Sequence, residues 1–288
     1  MLITVFTPSY NRAYTLGRLY ESLIRQNSKN FCWLIIDDGS TDKTEEIVEK
    51  WIKEKNIEIR YYKQENQGKS MAHNKGVELT TTDLFVCVDS DDYLTDDAVE
   101  EIEYCWNHAR ESDVGILAFK KSEEMMVTRI QHGGENARTT LKNAYDNLGL
   151  VGDTMLVYRT SIIKKYSFPH FEGEKFVPEA YLYDLIDQDG PLILLEKPLY
   201  ICEYLSDGYT SDMGKLLKNN PQGYLAYINQ RLKIDKTVRE RFLDSIRYIA
   251  MAIAEGNKSI ISQAVYPVYA LVAYPFGVLF YYKRYKNV

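Results

Sequence analysis

Along residues 1–120, short apolar runs alternate with amphipathic stretches. Leu2–Phe6 reads as a strand. Leu16, Leu19, Tyr20, Leu23 and Ile24 then recur at i, i+3, i+4, i+7 and i+8, which places them on one face of a helix. The alternation continues with a strand at Trp33–Ile36, a helical stripe of Ile47, Val48, Trp51 and Ile52, and a strand at Ile57–Tyr62. It then runs through a helix at Ser70–Leu79, a strand at Leu84–Val88, a helix at Asp96–Arg110 and a strand at Val114–Phe119. Asp42, with Glu45 three residues on, resembles a capping box for the second helix. This pattern predicts an α/β fold, a mostly parallel twisted sheet with helices on both faces.

Beyond Phe119 the regularity weakens. Lys120–Arg138 is polar, contains Gly133-Gly134, and reads as a connection or a hairpin. Asp153–Tyr158 predicts a strand, Pro178–Asp187 a short helix with proline near its first turn, and Leu192–Leu205 one or two strands. From Met213 the pattern is mainly helical, a C-terminal extension of the α/β domain. Residues 1–120, 121–212 and 213–288 are therefore expected to be three functional parts.

Composition narrows the function classes. Hydrophobic residues at 45% and charged residues at 26% of 288 are those of an ordinary globular protein. A net charge of −6 argues against a nucleic-acid partner, which calls for a basic face. The 24 tyrosines suit sugar binding or a membrane interface, because the ring is flat and apolar with a polar tip. Cys32, Cys87, Cys105 and Cys202 form no CxxC pair, which argues against zinc and redox motifs. The N-terminus enters a strand pattern without the basic and apolar regions of a secretory signal, so the working end is expected in the cytoplasm.

Ile260–Tyr282 is the most apolar stretch, and it contains Pro267 and Pro275 and ends at Lys283, Arg284 and Lys286. A straight membrane span is not expected from a segment with two prolines. An aromatic segment with a basic end suits an interfacial anchor, and a helical pair packed on the domain or on a second subunit is the alternative. Peripheral membrane contact through 260–288 and homo-oligomerisation are both carried forward as expectations.

Polar clusters follow three of the strands: Thr7-Pro-Ser-Tyr-Asn-Arg12, Asp37-Asp-Gly-Ser-Thr-Asp42 and Asp89-Ser-Asp-Asp92. Ligands bind beyond the carboxyl ends of parallel strands, so three such clusters point to one shared site. The three carboxylates of Asp89, Asp91 and Asp92 repel one another unless something positive joins them. A hard divalent cation, Mg2+ or Mn2+, does this and also binds diphosphate oxygens. The plainer reading is an acidic helix N-terminus, since Asp96 and Asp97 follow. Asp37 and Asp38 could accept from a base or ribose or cap a turn, and Gly39 permits close backbone approach.

Together with Asn66-Gln-Gly-Lys69 and Ala72-His-Asn74, these clusters resemble family 2 glycosyltransferases of the GT-A fold, in order and spacing across residues 1–120. The resemblance is to the type that builds bacterial surface polysaccharide. It implies that residues 1–120 bind a nucleotide-sugar and residues 121–212 an acceptor. Thr7, Pro8, Tyr10, Arg12, Asp37, Asp38, Asn66, Gly68, Lys69, Asn74, Asp89, Ser90 and Asp91 would then form the donor site. Within it Pro8 and Tyr10 would line the nucleobase pocket, Asp38 would bind the uracil, and Asp89 would sit by the ribose and diphosphate. Asp91 or Asp92, with Asp89 beside them, would hold the metal. His73 stands where many family members have arginine, which removes any phosphate or base contact from that arginine.

The family mostly inverts the anomeric centre and needs a general base on the acceptor side. Glu179, at the predicted start of a helix, is the candidate, with Glu172, Glu174 and Asp184 as rivals. Gly208-Tyr-Thr210 is expected in a loop over the donor. The implied reaction is transfer from a UDP-sugar to a glycan or lipid-linked glycan, at the inner face of the cell membrane. A dinucleotide-binding enzyme would need GxGxxG after the first strand, and Thr7–Arg12 holds no glycine. The P-loop signature is likewise absent. A non-catalytic scaffold retaining the fold is the alternative from another class.

Overall fold

The computed structural model describes residues 1–134, 136–203, 213–234 and 237–286. The apolar runs of the first part form β1 (Ile3–Ser9), β2 (Phe31–Asp37), β3 (Ile59–Lys63), β4 (Leu84–Cys87), β5 (Tyr93–Leu94) and β6 (Gly115–Lys121). Between them lie α1 (Leu16–Arg25), α2 (Thr44–Glu54), α3 (Lys69–Leu79) and α4 (Ala98–Trp106). The chain continues through β7 (Arg138–Thr139), α5 (Leu141–Asn147), β8 (Thr154–Arg159), α6 (Thr160–Ile163), α7 (Ala180–Ile186) and β9 (Leu192–Ile201). It ends in α8 (Met213–Asn219), α9 (Pro221–Ile234), α10 (Val238–Ala254), α11 (Ile260–Gln263) and α12 (Pro267–Arg284).

Among the described residues the strands form one sheet, in the order β3-β2-β1-β4-β8-β6-β9-β5, with β7 paired to β9. The stretch β3-β2-β1-β4 is parallel, and Ser9 and Asp37 are register partners at the carboxyl end of β1 and β2. Strand order reverses at β1, which has β2 on one side and the later β4 on the other. β8 enters antiparallel between β4 and β6, so the repeating pattern does not run straight from β4 to β6.

Two compact units result: Met1–Ser167 with Tyr183–Leu205, and Phe168–Leu182 with Ser206–Val288. In the first, odd-numbered β1 side chains Ile3 and Val5 join Leu16, Leu19 and Leu23 of α1 and Val48 of α2 in the main core. Trp33, Tyr20 and Trp51 stack within it, with the Tyr20 and Trp51 centroids 4.3 Å apart. Phe6 faces the other way, stacked on Phe85 at 5.2 Å, and α3 lies against it at Gly76.

The capping box expected from Asp42 and Glu45 is not formed. Asp42 Oδ1 accepts from Thr44 N at 3.0 Å and its Oδ2 from Ala13 N at 3.0 Å, so the carboxylate ties the β1 loop to the helix start. Glu45 instead pairs with Lys63 at 2.7 Å. α5 occupies a stretch where no helix is expected from the pattern.

In the second unit α9, α10 and α12 pack together. Thr237 and Glu240 form a reciprocal capping box at the start of α10. Buried Asp244 accepts from Arg231 Nε at 2.7 Å and also pairs with Arg247. Among the described residues no helix is long and apolar enough to cross a membrane.

Candidate active site

Hydrogen bonds join four loops at the carboxyl edge of the parallel strands. Asn11, in the left-handed region at φ 53°, donates its N–H to Ser40 Oγ at 2.8 Å. Its side-chain oxygen accepts from Thr41 N at 2.8 Å and Asp42 N at 3.3 Å. This fastens the loop after β1 to the loop after β2. Asp38, buried at the end of β2, accepts from Gln64 Nε2 at 2.8 Å, Gln67 N at 3.0 Å and Gly68 N at 2.7 Å. Gly68 has φ 90°, the turn from which α3 departs at Lys69. Lys69 Nζ then reaches Asp89 Oδ1 at 2.6 Å, after β4.

Asp37 is enclosed more completely. Its Oδ1 accepts from Ser40 N at 2.7 Å, and its Oδ2 accepts from the Tyr61 hydroxyl. Burial, with the Asp37 carboxylate beside it, holds the Tyr61 phenol far above its ordinary range. At Gly39, φ 84°, a Cβ would lie 3.0 Å from Asn66 N, so the two loops approach through backbone alone.

The three acidic residues after β4 have different surroundings. Burial opposes ionisation of Asp89, but Lys69 and Lys120 outweigh it and hold the carboxyl below the usual range. Asp92 is buried, with Oδ2 accepting from the Tyr200 hydroxyl at 2.7 Å and Oδ1 from Glu203 N at 2.9 Å. Its burial and the nearby Asp89 charge push it up to about 6. The Tyr200 hydroxyl also accepts from Asp89 N at 3.0 Å, and Lys120 Nζ stands 3.9 Å above the Tyr200 ring. Asp91 is partly exposed, and burial followed by the Asp89 charge raises its carboxyl.

No three carboxylate, imidazole or thiolate groups converge as a metal cage among the described residues. Asp92 has both oxygens committed and Asp89 is paired with Lys69, whereas Asp91 has no ion-pair partner among the described residues. That donor set fits a divalent ion held by one carboxylate, with phosphate oxygens and water completing the shell.

The other expected residues spread over the same region. Thr7 is fully buried and its hydroxyl accepts from Trp33 Nε1 at 2.9 Å, in the core beneath the loops. Pro8 and Ser90 are buried, while Tyr10 is exposed. Arg12 is partly exposed, its guanidinium 5.7 Å from the Tyr14 ring centroid. Asn66 and Asn74 are partly exposed, the latter on α3. His73 is buried edge-on to Phe6 and Phe85, with centroids at 5.6 and 5.3 Å, on the sheet side of α3.

Glu179 is exposed and immediately precedes α7, in the second unit. Of its rivals, Glu174 accepts from Gln222 N at 2.9 Å and Gly223 N at 2.8 Å and so caps α9. Glu172 is exposed and Asp184 partly buried. Gly208–Thr210 lies outside the described residues. Gln64, Lys120, Tyr200 and Glu203 belong to the site's framework but stand in no motif. They come from distant parts of the chain and meet the acidic residues and Asp38 only through the sheet and its loops.

The family model for glycosyl transferase family 2 matches residues 4–167. An uncharacterized glycosyltransferase of Haemophilus influenzae is 36% identical over 67% of this chain and 75% of its own length. The glycosyltransferase GlyA of Streptococcus pneumoniae is 29% identical over 69% of this chain but only 29% of its own length, so the chain spans under a third of that relative. The crystal structure of Staphylococcus aureus TarS 1-349 in complex with UDP-GlcNAc superposes with a TM-score of 0.65 at 16% identity. That superposition covers 99% of this chain and 93% of the other, and shows a shared GT-A fold.

Proposed function

Since the chain belongs to glycosyl transferase family 2, we propose that it transfers a sugar from a UDP-sugar to an acceptor hydroxyl with inversion at the anomeric carbon. The observation that carries this reading is the unbroken series of contacts Asn11–Ser40, Asp38–Gly68 and Lys69–Asp89. It makes one preorganised surface from four loops at the point where strand order reverses, where nucleotides bind in open parallel sheets. The UDP complexes of the structurally similar TarS favour uracil as the base.

In this reading Pro8 and Tyr10 flank the base, and Asp38 binds the uracil while anchoring the 64–68 loop that borders it. Lys69 and Asp89 lie along the diphosphate. Mg2+ or Mn2+ would be held by Asp91, with Asp89 next to it and Asp92 as the buried support behind both. When bound, the ion supplies positive charge that stabilises the departing diphosphate. Glu179 takes the acceptor hydroxyl proton as that oxygen bonds to the anomeric carbon, and the bond to the diphosphate breaks with its electron pair leaving on UDP. The sugar is of the hexosyl or N-acetylhexosaminyl kind, in keeping with TarS. The acceptor is a glycan or lipid-linked glycan of cell-surface assembly, at the inner face of the membrane.

Calorimetric titration with UDP, with and without Mn2+ and with GDP as control, tests the reading. Metal-dependent binding of UDP alone supports it and directs a screen of UDP-sugars. Absence of binding by either nucleotide, with metal present, would overturn it in favour of a non-catalytic scaffold.

A further inference from the structure

The outward side of α12 is apolar over its length. Val268, Leu271 and Leu279 are 74%, 64% and 68% exposed, and with Val272 and Tyr282 they recur at helical spacing on one side. The opposite side carries Ala270, Ala273 and Gly277, all buried. At Gly277 a Cβ would lie 2.6 Å from Ile249 Cβ, so the α12 backbone packs directly on the Ile249 side chain of α10. Small residues fasten the helix and large ones face outward, the reverse of an ordinary surface helix. From Val268 to Tyr282 the stripe is about 21 Å long at 1.5 Å per residue. A continuous exposed apolar surface of that extent marks an interaction face.

Charge identifies the partner. From Gly256 to Lys286 the chain contains no Asp or Glu, although its net charge is −6. The same segment carries Lys258, Lys283, Arg284 and Lys286, all exposed. Lys286 Nζ sits 4.4 Å from the ring centroid of Tyr282, at the end of the stripe. A second copy would bring apolar area but no carboxylate from this segment to meet those cations. A layer of anionic headgroups over acyl chains meets both features, and tyrosine favours that boundary. We infer that this face of α12 docks on an anionic membrane surface, with the helix lying in the interfacial plane rather than spanning it.

Flotation of the full chain with phosphatidylcholine vesicles, with or without phosphatidylglycerol, tests the inference. Binding is expected only with the anionic lipid and should weaken with salt. The L271D/L279D variant should abolish it; both positions are exposed, and unchanged circular dichroism would confirm folding. The K283Q/R284Q/K286Q variant should weaken it on the order of 100-fold. No binding to anionic vesicles, or equal binding to neutral ones, overturns the inference. So does a concentration-dependent dimer in sedimentation velocity that L271D/L279D dissociates. UDP titration of the same variants should be unchanged; a chain that floats but never binds UDP would sink the donor reading and leave this one standing.

Discussion

The Tyr200 hydroxyl, on β9, donates to Asp92 Oδ2 at 2.7 Å, and both side chains are buried. It also accepts from Asp89 N at 3.0 Å, so a single phenol fixes the backbone at one end of the acidic motif and the carboxylate at the other. Tyr200→Phe keeps the ring beneath Lys120 and removes both bonds. The variant should lose about 1.5–3 kcal/mol, the range for a hydrogen bond to a charged group. Urea denaturation would measure this, and an unchanged midpoint would contradict it.

That relationship also shows where the sequence stops being informative. The strands and helices up to β4 are legible because each apolar run is short and bounded by polar residues, and their polar ends share an edge as expected. Which of Asp89, Asp91 and Asp92 is available to a ligand is not legible, since Tyr200 and Glu203 arrive from more than a hundred residues away. Thr7 shows the same limit on a smaller scale: strand alternation turns its hydroxyl toward Trp33 rather than toward the loops. Asp42 stands three residues before Glu45, yet its carboxylate is taken by Thr44 N and by Ala13 N, 29 residues back, a contact that only the tertiary fold supplies.

The Asp38 carboxylate accepts from Gln64 Nε2, Gln67 N and Gly68 N and so holds the 64–68 loop. Asp38→Asn keeps one acceptor oxygen and turns an amide donor toward a backbone N–H. The 64–68 loop should loosen, and amide hydrogen exchange at Gln67 and Gly68 should accelerate. UDP affinity is expected to fall about tenfold, 1.4 kcal/mol. Unaltered exchange at those two amides would mean the loop holds itself.

Gly76 presses α3 onto β1. An alanine Cβ there would lie 2.5 Å from Phe6 Cδ2, and Phe6 cannot retreat because Phe85 stacks on it and His73 meets it edge-on. Overpacking of this kind costs about 1–3 kcal/mol, which the helix propensity of alanine, about 1 kcal/mol, offsets only in part. Gly76→Ala is therefore expected to lower the melting temperature, and a rise would show that the interface yields.

Asp92 makes stability depend on pH in a definite direction. Its folded carboxyl, at about 6, lies above an unfolded value near ~3.9, so the folded state binds the proton more tightly. The stabilisation is complete below the unfolded value and is lost as pH rises through the folded one, an effect on the order of 2 kcal/mol. In chelator and without nucleotide, wild type should lose stability relative to Asp92→Asn between pH 4 and 7. A difference that stays flat over that window would refute the assignment.

Asp91 and Glu179 carry separable tasks in the proposed transfer, one toward the metal-bound donor and the other toward the acceptor proton. Asp91→Ala should abolish the metal-dependent part of UDP binding, because Asp89 and Asp92 are held by Lys69, Tyr200 and the Glu203 N–H. Glu179→Gln keeps the side chain's shape and removes its carboxylate at an exposed position that precedes α7, outside the donor loops, so UDP titration should be unchanged. Turnover in that variant should fall about 10²–10⁴-fold, the usual worth of a general base. Paired titration and product assay separate the outcomes. Full turnover in Glu179→Gln would pass the role to Glu172 or Asp184, because Glu174 is committed to the α9 N-terminus. Metal-dependent binding surviving in Asp91→Ala would instead return the ion to Asp89, and would require Lys69 to release that carboxylate when the diphosphate arrives.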